Sequence, residues 1–141
     1  MFEITENKID TDNIIESVSS EKAGGISVFI GVTRNFTKDK NVEYLFYEAY
    51  HSMAIKQMKK IGDLVVEKFK VQKIAITHRI GRVDVKEASV VIAVSASHRG
   101  DAINACHYAI DTLKDIVPIW KKEFMVDGDP EWIANSTKNF N

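Results

Sequence analysis

The sequence contains very little cysteine, and its charges nearly cancel. Only one of its 141 residues is cysteine, so no disulfide can form within the chain, and a reducing compartment is the expected setting. The formal net charge is -1 at pH 7. This argues against nucleic acid or an anionic membrane as the main partner, because such binding needs a broad basic surface. Any positively charged site must therefore be local.

Long apolar runs are also missing. No stretch approaches the roughly 18 apolar residues of a membrane-spanning helix. The polar, acidic segment 1–13 lacks the basic and apolar regions of a secretory signal, so we expect a cytoplasmic protein. Hydrophobic residues make up 45% and charged residues 28% of the chain, a composition typical of a globular protein, and the length fits a single domain over residues 1–141.

The motifs of several well-known chemistries are absent. The four histidines form no helical i, i+4 pair and show no metal-ligand spacing with the single cysteine, so we expect no metal site. The glycines match neither nucleotide-binding fingerprint, and we expect no bound cofactor. Cys106 lies in the middle of a predicted apolar helix stripe, so we interpret it as a core residue and not as a nucleophile.

The hydrophobic pattern predicts three helices, the second and third of them long. The first is short, over residues 10–19, with Asp10 or Thr11 as its cap. The second covers 51–69, and the third runs from about residue 99 to residue 116, where Pro118 prevents its continuation. The apolar stripe of the third helix has spacings of three and four and consists of Ile103, Cys106, Ile110, Leu113 and Val117.

Runs of β-branched and aromatic residues predict the strands. The almost continuously apolar run 89–96 predicts a central strand buried on both faces. Residues 31–48 suggest a hairpin with a long polar loop, and 81–86 suggest a turn. Strands and helices mix without strict alternation, which favours an α+β fold with a mainly antiparallel sheet. The predicted strands cover residues 26–32, 42–48, 73–80, 89–96 and 119–124.

Positive charges gather around the third helix. Arg99 lies at its start, where unpaired backbone N–H groups favour an anion. Lys114 falls at the edge of the apolar stripe, from where its amine can reach a neighbouring crevice. A solvated lysine that complements the negative end of the helix is the alternative.

Lys121 and Lys122 follow on an extended segment, so their side chains point to opposite faces and only one can reach a given pocket. Lys121 shares its face with Glu123, which can hold it in place or tune its protonation. The residues therefore predict a local anion-binding pocket. Its candidates are Arg99, Lys114 and one of Lys121 and Lys122, with His98 and Arg34 as further members.

Five short sequence blocks stand out along the chain. They are Phe-Ile-Gly-Val-Thr-Arg at 29–34, Tyr-Glu-Ala-Tyr at 47–50 with Met-Ala at 53–54, His-Arg-Ile-Gly at 78–81, Ser-His-Arg at 97–99 and Pro-Ile-Trp-Lys-Lys-Glu at 118–123. In this order, the blocks resemble the large, catalytic subunit of molybdopterin synthase, the MoaE-like family. The resemblance implies an α/β-hammerhead-like fold and an enzyme that transfers sulfur to cyclic pyranopterin monophosphate, giving molybdopterin, the pterin precursor of the molybdenum cofactor.

The resemblance also implies partners. They are a second copy of the chain and a small ubiquitin-like sulfur-carrier subunit, which together give a heterotetramer. The carrier ends in Gly-Gly and bears a thiocarboxylate, so the nucleophile comes from the partner and no reactive cysteine is required. Two departures from the family stand out: the loop 35–41 contains no glycine, and no basic residue follows Trp132 closely, since Lys138 is the nearest. No residue of the tail is therefore assigned to the pocket.

Site roles follow from the same resemblance. It implies Lys114 and Lys121 as catalytic residues and Arg34 as a pocket arginine for the substrate or the tail. His98 and Arg99 would contact the substrate phosphate, reaching across the dimer into the other subunit's site. The channel for the partner's tail would include Phe29 and Glu123.

Two other functions remain open at this point. One is a non-catalytic adaptor that receives the tail of a ubiquitin-like protein through the same cations, and the other is a regulatory domain that binds a phosphate ester. An adaptor needs positive charge only, so it should tolerate arginine in place of lysine, whereas a catalyst needs a titratable amine.

Overall fold

A computed structural model describes residues 1–134 and contains three helices and two sheets. The helices are α1 (Thr11–Val18), α2 (His51–Lys68) and α3 (Arg99–Ile116). The strands are β1 (Phe2–Thr5), β2 (Gly25–Val32), β3 (Phe36–Thr37), β4 (Lys40–Ala49), β5 (Val71–Arg79), β6 (Gly81–Asp84), β7 (Ala88–Ala96), β8 (Ile119–Met125) and β9 (Glu131–Ala134).

The first sheet has the strand order β1-β5-β7-β2, in which only the β1–β5 pair is parallel. The even-numbered residues Val90, Ile92 and Val94 of β7 face the main core with α2 and α3, whereas Val91 and Ala93 meet α1 on the other side. The prediction of a central strand buried on both faces is therefore confirmed.

The second sheet is built around β4. This strand pairs with β3, β6 and β8, and β9 extends the sheet beyond β8. The main apolar core is continuous across both sheets, since Leu45 and Ile119 belong to the same cluster as Ile76 and Leu113. The α+β, mainly antiparallel prediction is confirmed. The single-domain expectation for 1–141 stays a prediction, because residues 135–141 lie outside the described residues.

The helix predictions agree with the structure at nearly every boundary. Asp10 caps α1 by accepting a hydrogen bond from the Asn13 backbone N–H, at 3.1 Å. The stripe of α3 differs at one end, because Ile103 is 55% exposed and the buried face is completed by small residues instead. Alanines allow the helix to approach the sheet closely, and the buried ones are Ala102, Ala105 and Ala109.

Two strand predictions were wrong. The region 31–48 is not a hairpin, because β2 pairs with β7 in the first sheet and β4 lies in the second. The chain leaves one sheet after Val32 and enters the other at Phe36. The segment 81–86 is not only a turn, because its first four residues form β6 against β4. Short strands such as β1, β3 and β9 carry too little pattern to be found from sequence alone.

Within residues 1–134, none of the helices has the length and apolar character that crossing a lipid bilayer would require.

Candidate functional site

A cavity of about 340 Å³ opens where the two sheets meet the end of α3. It brings together five of the residues that the sequence singled out, and its volume lies in the range of small-molecule sites. The five are Phe29, Arg34, Lys114, Lys121 and Glu123.

Two lysines reach this cavity from different elements. Lys114 is in the last turn of α3, and Lys121 lies on β8, which begins shortly after Pro118 ends the helix. Burial lowers the pKa of Lys121; the positive charges of Lys114 and Arg34 act in the same direction, and the Glu123 carboxylate opposes them. The charges of three side chains are therefore close enough to influence one amine.

Lys122 does not belong to the cavity. Its amine lies over two aromatic rings on the other face of β8, 5.4 Å from the centre of Phe124 and 5.3 Å from that of Trp132. The alternation along an extended strand explains why neighbouring lysines have such different surroundings. The choice that the sequence left open between Lys121 and Lys122 is thereby decided by geometry.

Glu123 is a buried carboxylate, only 3% exposed. Its Oε2 atom accepts a hydrogen bond from the Thr37 hydroxyl at 2.9 Å, whereas Oε1 has no hydrogen-bond partner among the described residues. A buried carboxylate oxygen without a donor is costly, so Oε1 is suited to accept a hydrogen bond from a bound molecule.

The loop without glycine has a defined structure. β3 and β4 are joined by Lys38 and Asp39, whose φ angles of 47° and 66° lie in the left-handed region and are typical of a two-residue hairpin turn. The turn places Thr37 against Glu123. This contact could not be predicted from the sequence, since a threonine in a polar loop is a common feature.

His98 and Arg99 do not reach this cavity within one chain. Arg99 and Lys114 lie in the first and last turns of the same helix, about 22 Å apart along its axis. Arg99 instead lines a second cavity of about 270 Å³ beside Gly25 and Ile26, and His98 is the exposed residue preceding the helix. The prediction that one chain brings all of these cations into a single pocket is therefore wrong, because His98 and Arg99 lie elsewhere.

The sequence analysis missed several polar residues of the cavity. Tyr47 and Ser89 both line it, and behind Tyr47 lies the fully buried His78, with ring centres 5.0 Å apart. The His78 Nδ1–H donates to the Arg79 carbonyl at 2.8 Å. Alternation along β4 predicts that Tyr47 and Leu45 share a face. Which residues lie opposite them depends on the register between β4 and β8, which the sequence does not show.

Cys106 is buried and is not among the residues that line this cavity. Burial raises the pKa of its thiol, which disfavours the thiolate form, and its Sγ lies 3.9 Å from the Ile92 carbonyl oxygen. Among residues 1–134, no three side chains of His, Cys, Asp or Glu are grouped in a way that could hold a metal ion.

Comparison with known proteins agrees with this architecture. The family model described as MoaE protein matches residues 4–116. The molybdopterin synthase catalytic subunit of Bacillus subtilis (strain 168) is 49% identical over 134 residues, which are 95% of this chain and 85% of that protein. The subunit of the same name from Dictyostelium discoideum is 48% identical over 137 residues, covering 95% and 87% of the two chains.

Solved structures give the same result. The crystal structure of molybdopterin synthase from Staphylococcus aureus matches with a TM-score of 0.89 and 44% identity, covering 94% of this chain and 96% of that one. A chain from the complex of subunits 1 and 2 of molybdopterin-converting factor from Helicobacter pylori 26695 shares the fold, with a TM-score of 0.75 at 20% identity. The chain described here belongs to the MoaE protein family.

Proposed function

We propose that this protein is the catalytic subunit of a molybdopterin synthase. It transfers sulfur from the thiocarboxylated C-terminus of a small ubiquitin-like partner to cyclic pyranopterin monophosphate. The observation that carries the proposal is the convergence of Arg34, Lys114 and Lys121 on one cavity, in a chain whose family relatives have this activity in their names.

The cavity suits the chemistry of two anions. The substrate carries a phosphate and the partner's tail carries a thiocarboxylate, so bringing them together requires fixed positive charge in a partly dry site. The sulfur is the nucleophile and belongs to the partner. The oxygen that it displaces from the substrate needs a proton, and Lys121, with its lowered pKa, is suited to donate one.

The roles of the remaining residues follow from their positions. Lys114 acts with Lys121 as a catalytic amine, Arg34 binds and orients the anions, and Phe29, which lines the cavity, forms a wall of the tail channel. The free Oε1 of Glu123 accepts a hydrogen bond from the arriving tail or pterin. His98 and Arg99 act in the site of a second copy, since the lysine cavity of their own chain lies at the opposite end of α3.

The assembly is part of the same proposal: two copies of this chain, each forming one domain, with one small carrier subunit apiece. Such a complex works in the cytoplasm, where the single thiol of each copy, Cys106, stays reduced. The active site requires no resident cofactor, because the reactive sulfur arrives on the partner.

The test is reconstitution with the thiocarboxylated partner and the cyclic pterin, measuring dithiolene product in single-turnover and steady-state reactions. Lys114→Arg and Lys121→Arg keep the positive charge but replace a titratable amine with a guanidinium that stays protonated. We expect each variant to lose nearly all turnover and to bind the partner with unchanged affinity.

Lys122→Arg is the matched control. It makes the same substitution one residue further along β8, on the face where the cation lies over Phe124 and Trp132, and arginine keeps that contact. We expect full activity from this variant. If Lys114→Arg and Lys121→Arg both still form product at the normal rate, the lysines supply charge only and their assignment as catalytic residues is refuted.

A further inference from the structure

Tyr47 is a polar side chain that is almost fully buried and lines the cavity. It lies in the middle of β4, directly opposite Lys121 of β8, and Leu45 of β4 is opposite Glu123. Directly opposed residues of an antiparallel pair project from the same face, with Cβ atoms about 5 Å apart. All four side chains line the cavity, and Tyr47 is only 6% exposed.

The Tyr47 hydroxyl is held from behind. It shares a hydrogen bond with Ser89 of β7, and the Ser89 hydroxyl in turn donates to the Gly31 carbonyl of β2 at 3.3 Å. Because Ser89 uses its only proton on that carbonyl, the Tyr47 O–H must be the donor to Ser89 Oγ. The lone pairs of the phenol oxygen are then left free for the cavity.

The Tyr47 ring is also fixed. His78 meets it in an edge-on arrangement at 5.0 Å, and this histidine is buried on β5. Burial raises the pKa of Tyr47 and the nearby Glu123 charge adds to the rise, so the phenol stays neutral. A rigid, neutral hydroxyl therefore lies beside a lysine that burial pushes towards its uncharged form.

We propose that Tyr47 is a positioning residue for Lys121. Its hydroxyl, oriented by the Ser89–Gly31 relay, presents oxygen lone pairs to the cavity and stabilises the ammonium form of Lys121. Lys121 thereby keeps the proton that the displaced oxygen requires, although the site is dry and other cations are close. No net negative charge is added, so the cavity keeps its attraction for anions.

Other charged groups also act on this amine, and a pH measurement must account for them. They face it from several elements: Glu123 from its own strand β8, Lys114 from α3 and Arg34 from the segment after β2, with neutral His78 behind Tyr47 on β5. Replacing Tyr47 by phenylalanine leaves all of these in place and removes one oxygen atom.

The role rests on the proposed function, so the experiment has one readout that needs turnover and one that does not. In the reconstituted synthase, we expect Tyr47→Phe to lower kcat about tenfold with KM within about twofold, because the proton donor is affected and substrate binding is not. The alkaline limb of the kcat profile should move to lower pH by about half a unit, since Lys121 loses a group that favours its charged form.

The second readout is the titration of Lys121 in the full-length chain without substrate, followed by NMR of ¹³Cε-labelled lysine and assigned with Lys121→Arg. We expect the same displacement of its pKa in Tyr47→Phe. Ser89→Ala should act in the same direction, and the double variant should lose no more than Tyr47→Phe alone, because both changes interrupt one relay.

Tyr44→Phe is the control. It removes a hydroxyl from the same strand, but Tyr44 faces away from the cavity, stacked on Phe124 at 4.5 Å and covered by the Arg82 guanidinium. We expect no change in kcat or in the Lys121 titration. An unchanged Lys121 titration in Tyr47→Phe overturns the positioning role. If Tyr47→Phe displaces the Lys121 titration but the wild-type complex makes no dithiolene product, the proposed function is overturned and the influence of Tyr47 on Lys121 is supported.

Discussion

His78 should make the stability of this protein depend on pH in a specific window. The pKa of its imidazole is lowered from 6.5 to about 4, because burial and the nearby charge of Lys114 lower it by more than the hydrogen bond to the Arg79 carbonyl raises it. As the pH falls below 6.5, the unfolded chain takes up a proton that the folded chain refuses until about pH 4. The folded state therefore loses stability as the pH falls through this range and keeps its full stability above it.

The size of the effect follows from the displacement of the pKa. One unit corresponds to about 1.4 kcal/mol, so the full loss is about 3 kcal/mol, of which about 2 kcal/mol is reached by about pH 5. This is a large share of the stability of an ordinary domain, about 5–15 kcal/mol.

The measurement is urea unfolding between about pH 7.5 and about pH 4.5, at one fixed protein concentration because oligomers are stabilised by mass action. His78→Gln keeps a polar group but removes the titration. Although this variant is less stable at neutral pH, we expect its stability to fall less steeply with acid, so that the difference from wild type shrinks by about 2 kcal/mol at about pH 5.

His107→Gln is the control, because it removes a histidine from the surface, where His107 pairs with Asp111 at 3.1 Å and both side chains are exposed. Its stability curve should run parallel to that of the wild type. If His78→Gln also runs parallel to the wild type, His78 accepts a proton in the folded protein without penalty, and the buried neutral imidazole behind Tyr47 is refuted.

Two further outcomes test the assembly and the thiol. If Arg99 serves the site of the other subunit, Arg99→Ala and Lys121→Arg chains, each inactive alone, should regain about a quarter of normal activity when mixed and reassembled, because half of the dimers then hold one intact site; no recovery would show that each site takes both residues from one chain. Cys106→Ala should lower the stability by about 1–2 kcal/mol and leave the sulfur-transfer rate unchanged, since the thiol is buried and the sulfur comes from the partner; a loss of turnover in well-folded protein would show that Cys106 takes part in the reaction.

The sequence was sufficient where periodicity was strong. The third helix was predicted with its observed ends, because Pro118 forbids continuation and apolar residues recur at helical spacing. It was insufficient where partners are distant in the chain. The local pattern of 31–48 is compatible with a hairpin, but β2 pairs with the apolar strand β7 instead. No residue within 31–48 indicates that a distant strand is the preferred partner.

The same distinction applies to the cavity. Lys114 and Lys121 could be selected because each sits at a predictable place on its own element, the edge of a helix stripe and one face of a strand. Thr37, Tyr47 and Ser89 could not, because their importance depends on the register between strands and on a turn with non-glycine residues at positive φ. Local pattern identifies the charged groups, and tertiary pairing identifies the neutral groups that hold them.

The near-zero net charge and the strongly positive cavity are compatible for a physical reason. Three cations and one carboxylate line the cavity, so positive charge is in excess there, although the whole chain carries a formal charge of -1. Without a bound anion these cations repel one another in the partly desolvated cavity, and the negative charge of Glu123 offsets only part of that repulsion. An incoming phosphate or thiocarboxylate relieves the rest. The cost of assembling the cations is therefore recovered when the anions bind, which favours the two negatively charged reactants over neutral molecules of the same shape.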